Sequence, residues 1–292
     1  MKIKLAIILL IINIIYAQSI HWEQMTSLPK PMRGTAITCN NKIYFMEADK
    51  DTSGVYEYNS ETDAWLYKGN MLTPGWNLNL AAIDTVIYAI GGDPFLDRSE
   101  SYHGERNTWR QLAPMPTGRQ HSNCAVVNGK IYVMGGRTDW STLSDKNEAY
   151  DPVSNSWQTK QPLPKPTENP ILAAIDNKIY ALCGDTLRIY DPATDKWSTA
   201  PHAPQWVSVM FGSAVIEHYF IIPGGQNQSN KALAKVQIYD TDKREWISTT
   251  PLPIANQLGG IAVLNDEIYI IGGSDSNFEK YNQVYKGTLI RK

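Results

Sequence analysis

Six tryptophans, Trp22, Trp65, Trp109, Trp157, Trp197 and Trp246, recur at intervals of 40 to 49 residues. Seven residues before each of the last five stands a tyrosine: Tyr58, Tyr102, Tyr150, Tyr190 and Tyr239. The stretch from Trp109 to Trp157 carries the unit in its clearest form. It passes through a Met-Pro turn, an apolar run ending in Ile131-Tyr132, the doublet Gly135-Gly136, a polar loop and Tyr150-Asp151-Pro152. A unit of this length is one supersecondary element that cannot bury its own apolar faces, so its copies must stack.

The other copies keep this order. Ile-Tyr recurs as Ile43-Tyr44, Ile87-Tyr88, Ile179-Tyr180 and Ile268-Tyr269, and is altered to Phe220-Ile221 in the fifth unit. The glycine doublet recurs as Gly91-Gly92, Gly224-Gly225 and Gly272-Gly273, with Glu47-Ala48 in the first unit and Cys183-Gly184 in the fourth. Glycine at a strand end suits a positive φ or a close approach of two backbones. The 17 prolines and 20 glycines favour short strands and tight turns, and no stretch has the apolar spacing of a long amphipathic helix.

The order Pro-turn, apolar strand, Ile-Tyr, Gly-Gly, Tyr-Asp, Trp resembles the kelch repeat over residues 20 to 290. The resemblance implies an all-β, six-bladed kelch β-propeller, a single domain over residues 18–292, with four antiparallel strands per blade, a to d outward from the axis. Strand a would carry the run before Ile-Tyr, b the Ile-Tyr, c the Tyr and d the Trp. The sixth unit places Tyr285 at the strand c position but has no Trp after it, while Trp22 has no strands before it. Residues around His21 to Met25 are therefore expected to form the outer strand of the last blade, closing the ring and hiding its sheet edges.

Residues 1–17 have Lys2 and Lys4, an apolar run from Leu5 to Ile15, and Ala17 before Gln18. This is the layout of a secretory signal peptide cleaved after Ala17, and the run is too short to span a bilayer. A secreted or periplasmic monomer with no stable membrane insertion is expected. An uncleaved anchor is the alternative, because Ile15 is large for its place three residues before the cut. The formal charge is −2, and losing the two lysines makes the chain more acidic. That disfavours a polyanionic partner and excludes the basic footprint of a nucleic-acid binder. Cys39, Cys124 and Cys183 lie in apolar runs without metal-ligand spacing and are expected as buried free thiols.

In such a blade the b–c loops and d–a connections share one rim. The long, variable segments 137–148, 226–236 and 274–282 fall there, and function commonly rides on loops over a rigid scaffold. The three tryptophans outside the repeat frame map to the same rim: Trp76 and Trp206 in d–a connections, Trp140 in a b–c loop. Aromatic faces beside amides and charges hold sugars, peptides or cations. The alternative is that they fill seams between blades. Arg33, Asn77, His121 and Asn169 each stand ten residues before the Ile of Ile-Tyr, so they should lie on one circle around the axis.

In kelch domains that bind peptides, arginines near this position contact acidic ligands, and the resemblance carries that role to Arg33, with Arg119 two residues off register. The expected function is a binding module for a glycan or a peptide or protein ligand, using Arg33, Trp76, Asn77, Arg119, His121, Arg137, Trp140, Glu168, Asn169, Trp206 and Asn256. No phosphate loop, nucleophile elbow or zinc motif is present, so neither cofactor nor metal is expected. A distant resemblance to N-acetylneuraminate epimerase-type propellers supplies an enzymatic alternative, a sugar mutarotase or epimerase. Glu168 or His121 would then move protons, and Arg33 or Arg119 would hold a carboxylate. A structural part in a surface assembly is a third reading.

Overall fold

A computed structural model describes residues 18–49, 52–94, 96–208 and 212–291; the expected signal peptide lies outside the described residues. Every regular element described is a strand. The first, β1 (Gln18–Met25), belongs to the last blade. Blade 1 is β2 (Gly34–Cys39), β3 (Lys42–Glu47), β4 (Gly54–Asn59) and β5 (Ala64–Asn70). Blade 2 is β6 (Asn79–Ile83), β7 (Val86–Ile90), β8 (Ser99–His103) and β9 (Thr108–Gln111). Blade 3 is β10 (Asn123–Val127), β11 (Lys130–Met134), β12 (Asn147–Asp151) and β13 (Ser156–Thr159). Blade 4 is β14 (Ile171–Ile175), β15 (Lys178–Cys183), β16 (Thr186–Asp191) and β17 (Lys196–Thr199). Blade 5 is β18 (Ala214–Ile216), β19 (Tyr219–Pro223), β20 (Val236–Asp240) and β21 (Glu245–Ser248). Blade 6 is β22 (Gly260–Leu264), β23 (Glu267–Ile271) and β24 (Val284–Arg291), with β1 as its outer strand.

All six sheets are antiparallel ladders, and the inner strands β2, β6, β10, β14, β18 and β22 contact one another in a closed ring. Closure takes the expected form: β1 pairs with β24 along its whole length, from Gln18 opposite Arg291 to Met25 opposite Val284. Ile20 carries the join into the core, packed with apolar residues of blades 4, 5 and 6.

The seven-residue spacing of Tyr and Trp is a register. Tyr58, Tyr102, Tyr150, Tyr190 and Tyr239 each lie directly across from their Trp, with ring centroids 4.7 to 5.1 Å apart. Four of the hydroxyls donate to the Asp or Asn two residues before the Trp: Asp63, Asn107, Asn155 and Asp195. These turn residues have left-handed φ of 47 to 53°, which short polar side chains tolerate.

In three blades the same turn clasps the chain that leaves the preceding blade. Asp63 accepts the N–H of Thr26 while the Trp65 indole donates to its carbonyl. Asn155 and Trp157 grip Ala113 in the same way, and Asp195 and Trp197 grip Gln161. Blade 5 departs consistently. Trp246 donates to the carbonyl of Pro201, which has no N–H to offer, and the acceptor position holds Arg244, leaving the Tyr239 hydroxyl unpaired.

The doublet glycines meet both conditions expected of them. Gly135 and Gly136 have φ of 66 and 99°, and a Cβ on Gly135 would stand 2.7 Å from the Thr167 carbonyl of the next d–a connection. Gly136 donates its N–H to that same carbonyl. In the four blades that carry it, the doublet ties the blade to its successor. The cysteines are free, with Cys39 buried.

The sixth blade corrects one expectation. Tyr285 does not hold the strand c position: Gly287 lies between Ile268 and Trp22, where the other blades put Tyr, and Tyr285 sits two residues away. Trp22 explains the glycine, because its ring lies over Gly287 and a Cβ there would run into it.

Candidate functional site

Three of the four residues expected on one circle share one geometry. Asn77, His121 and Asn169 all take left-handed φ, 53, 54 and 47°, as the chain turns into strand a. The Asn77 amide meets His121 Nε2 at 3.1 Å, and His121 Nδ1 meets the Asn169 carbonyl oxygen at 3.2 Å. The amide donates to Nε2, so the imidazole is neutral with its proton on Nδ1. Burial holds the His121 pKa below its ordinary value, opposed by the Asn169 hydrogen bond and the charge of Glu168. Leu258 keeps the same spacing before Ile268 and the same φ, 60°, and was not anticipated because it is apolar. The corresponding residue of blade 5, Met210, lies outside the described residues.

Above this ring, Arg33, Trp76, Asn77, His121, Leu258, Trp140 and Phe278 enclose a mouth of about 200 Å³. Arg33 stands 3.8 Å from Asp49, and Lys280 also pairs with Asp49. Trp76 is half-buried, its indole donating to Asp93. Trp140 and Phe278 are 68% and 53% exposed, which makes them the open aromatic surface of the mouth. Trp140 is carried by a structured loop. Asp139 accepts from the backbone of Ser141 and Thr142, which lowers its pKa to about 2, and the Trp140 carbonyl accepts from Arg137 at 2.6 Å.

Arg137 also grips Glu168 through two nitrogens, one at 2.7 Å. That pairing, offset by partial burial, lowers the Glu168 pKa and keeps the carboxylate ionised.

Two expected ligand contacts are withdrawn from the rim. Arg119 is fully buried, its guanidinium 3.0 Å from Glu148 and also bonded to the Val133 carbonyl. Burial lowers its pKa to about 10, with Glu148 opposing. It fastens the d–a turn to strand c and reaches no ligand. Asn256 is likewise buried, donating to the Gly272 carbonyl behind the blade 6 glycine doublet.

Trp206, Glu168 and Asn169 line a second, larger recess, about 640 Å³, in the rim above blade 4. Its origin is a missing loop. β15 and β16 are joined by Gly184 and Asp185 alone, where other blades carry longer b–c loops. The gap is flanked by Leu143 of the blade 3 loop and by Gln226, Gln228 and Asn230 of the blade 5 loop. Trp206 packs directly against Gly184, at whose α-carbon no side chain would fit. Cys183 lines the recess as a neutral thiol, burial raising its pKa to about 11. The short Trp157 to Trp197 interval was the sequence sign of this gap.

A closed ring of six four-stranded blades whose loops converge on one rim defines a β-propeller, and its sequence unit is the kelch repeat: the chain is a kelch-repeat propeller. The Kelch motif model matches residues 118–164, from the d–a turn of blade 3 to that of blade 4. Kelch-like protein terF of Aspergillus terreus is 29% identical over 96 residues, 30% of this chain and 20% of that protein. Kelch-like protein 40b of Danio rerio is 30% identical over 92 residues, 31% of this chain and 15% of that protein. These matches span a fifth or less of the relatives' length. The solved structure of YjhT superposes with a TM-score of 0.76 at 16% identity, covering 89% of this chain and 95% of that one. At that identity the likeness is one of fold.

Proposed function

We propose that this propeller is a non-catalytic binding module that seats a peptide or glycan segment of its partner at the axial mouth. One observation carries the reading: two exposed aromatic rings, Trp140 and Phe278, stand over the mouth beside the Arg33 guanidinium. Aromatic faces with an adjacent cation supply stacking and charge recognition at low entropic cost. The residues once considered for proton transfer are engaged elsewhere. Both His121 nitrogens are hydrogen-bonded, and Glu168 is held by Arg137. The distant resemblance of the sequence to N-acetylneuraminate epimerase-type propellers supports a second reading, interconversion of sugar anomers at the same rim.

The full chain screened on peptide and glycan arrays separates these readings from the absence of any rim ligand. A ligand whose binding falls at least about tenfold in Trp140→Ala or Arg33→Ala supports the mouth; binding indifferent to both removes it. Acceleration of anomer exchange of a freshly dissolved acidic sugar, followed by proton NMR, would establish the second reading instead. Export is part of the proposal and rests on residues 1–17. N-terminal sequencing of protein recovered outside the cytoplasm should begin at Gln18.

A further inference from the structure

The recess above blade 4 breaks a rule that the neighbouring blades keep. Two residues before its frame Tyr, strand c normally presents a side chain that fastens the d–a turn entering the same blade. In blade 2, Glu100 accepts from Thr73, and in blade 3 Glu148 accepts from Thr117 at 2.8 Å. In blade 5, Gln237 exchanges two hydrogen bonds with the backbone of Gln205. Blade 4 places Arg188 at this strand position and Lys165 at the turn position, both lining the recess. Two cations cannot fasten to one another. Neither side chain makes a hydrogen bond or ion pair among the described residues, although Arg188 is only partly exposed. Two carboxylates also line the recess: Glu168 is held by Arg137, and exposed Asp185 lies 3.9 Å from His202.

Two cations on one recess, Arg188 partly exposed and Lys165 exposed, leave a local positive charge that an anion would balance. The other donors narrow its class. Trp206 offers a ring face and an indole N–H that makes no hydrogen bond among the described residues, and Gln226, Gln228 and Asn230 offer amides on the opposite wall. An indole face with amides along one side suits a saccharide ring, whose hydroxyls need both donors and acceptors. A volume of 640 Å³ falls within the range of small-ligand sites.

We propose that the recess above blade 4 binds a short saccharide bearing a single acid group, with Arg188 and Lys165 on the acid and Trp206 under a ring. This site is separate from the axial mouth and stands whether or not the mouth binds anything. The overall acidity of the chain fits a small ligand held by two local cations better than a polyanion.

Titration calorimetry of the full chain with cellobiuronate, cellobiose monosulfate and uncharged cellobiose tests the proposal. At least one acidic disaccharide should bind at least about tenfold tighter than cellobiose, and should weaken as salt is raised. Which of the two binds tells carboxylate from sulfate. Arg188→Gln and, separately, Lys165→Gln should each weaken that binding by about tenfold without lowering Tm, since neither side chain holds the fold together. Arg33→Ala and Trp140→Ala should leave it unchanged. Equal binding of all three sugars, binding of none, or indifference to both Arg188→Gln and Lys165→Gln would overturn the proposal. Loss of binding at the mouth alone would leave it standing.

Discussion

Gly287 and Trp22 show how one residue decides whether the last blade can form. Trp22 is supplied from the opposite end of the chain, and its ring occupies the space that a side chain at 287 would fill. Gly287→Ala should cost about 1–3 kcal/mol through overpacking, seen as a lower Tm with no change in strand content by circular dichroism. A variant as stable as the parent would show that the ring can move aside at no cost. His121 carries a different kind of prediction. Its folded pKa lies below 6.5, so the unfolded chain binds the proton more readily and stability falls as pH drops below about 6.5. The lowered carboxylates Glu168 and Asp63 lose their contribution only at more acidic pH, below their ordinary values of 4.5 and 3.8. Between pH 7 and pH 5, His121→Gln should therefore flatten the dependence of urea midpoint on pH. An unchanged slope would assign it to other groups.

At the scale of the element, the fastening of d–a turns to strand c is what distinguishes one blade from another. In blade 3 it includes a buried ion pair, and removing one partner strands the other charge in the core. Glu148→Ala should cost about 3–5 kcal/mol, whereas Arg119→Met with Glu148→Leu together should cost less than that single change. Chemical denaturation of the three proteins checks the order; a double variant worse than Glu148→Ala would refute it. The same element marks the limit of what the sequence discloses. Tyr, Trp and Gly-Gly were legible because they recur at fixed spacing and answer to local rules of register and φ. Arg119 was misread as a ligand contact because spacing places a residue along the chain without saying whether its side chain points to solvent. Tyr285 was misread because an aromatic seemed the better match than a glycine, when the partner came from far away in sequence. The recess of blade 4 was written in a short interval and in Arg188, features that stand out only once the other blades show what is normal.

For the whole molecule, stability depends on joining the two ends. β1 contributes eight paired residues and the buried Ile20 to a sheet whose other strands come from the end of the chain. Deleting residues 18–26 should lower Tm by at least about 5 °C and expose β24 as an open edge, with aggregation following. A deletion variant that melts and stays soluble like the parent would show that the ring holds without its outer strand.

The closing strand also has a history in time. β1 leaves the ribosome first among the described strands, yet its partner β24 follows about 260 residues later. At about 5–20 residues per second that is a wait of roughly 13–52 s. Throughout it β1 is a bare edge, and until its own tethered β24 arrives the β24 of a neighbouring nascent chain is a competing partner. Two chains made close together on one message can therefore close each other's rings, giving an exchanged dimer in which every blade is intact and only the parentage of one strand has changed.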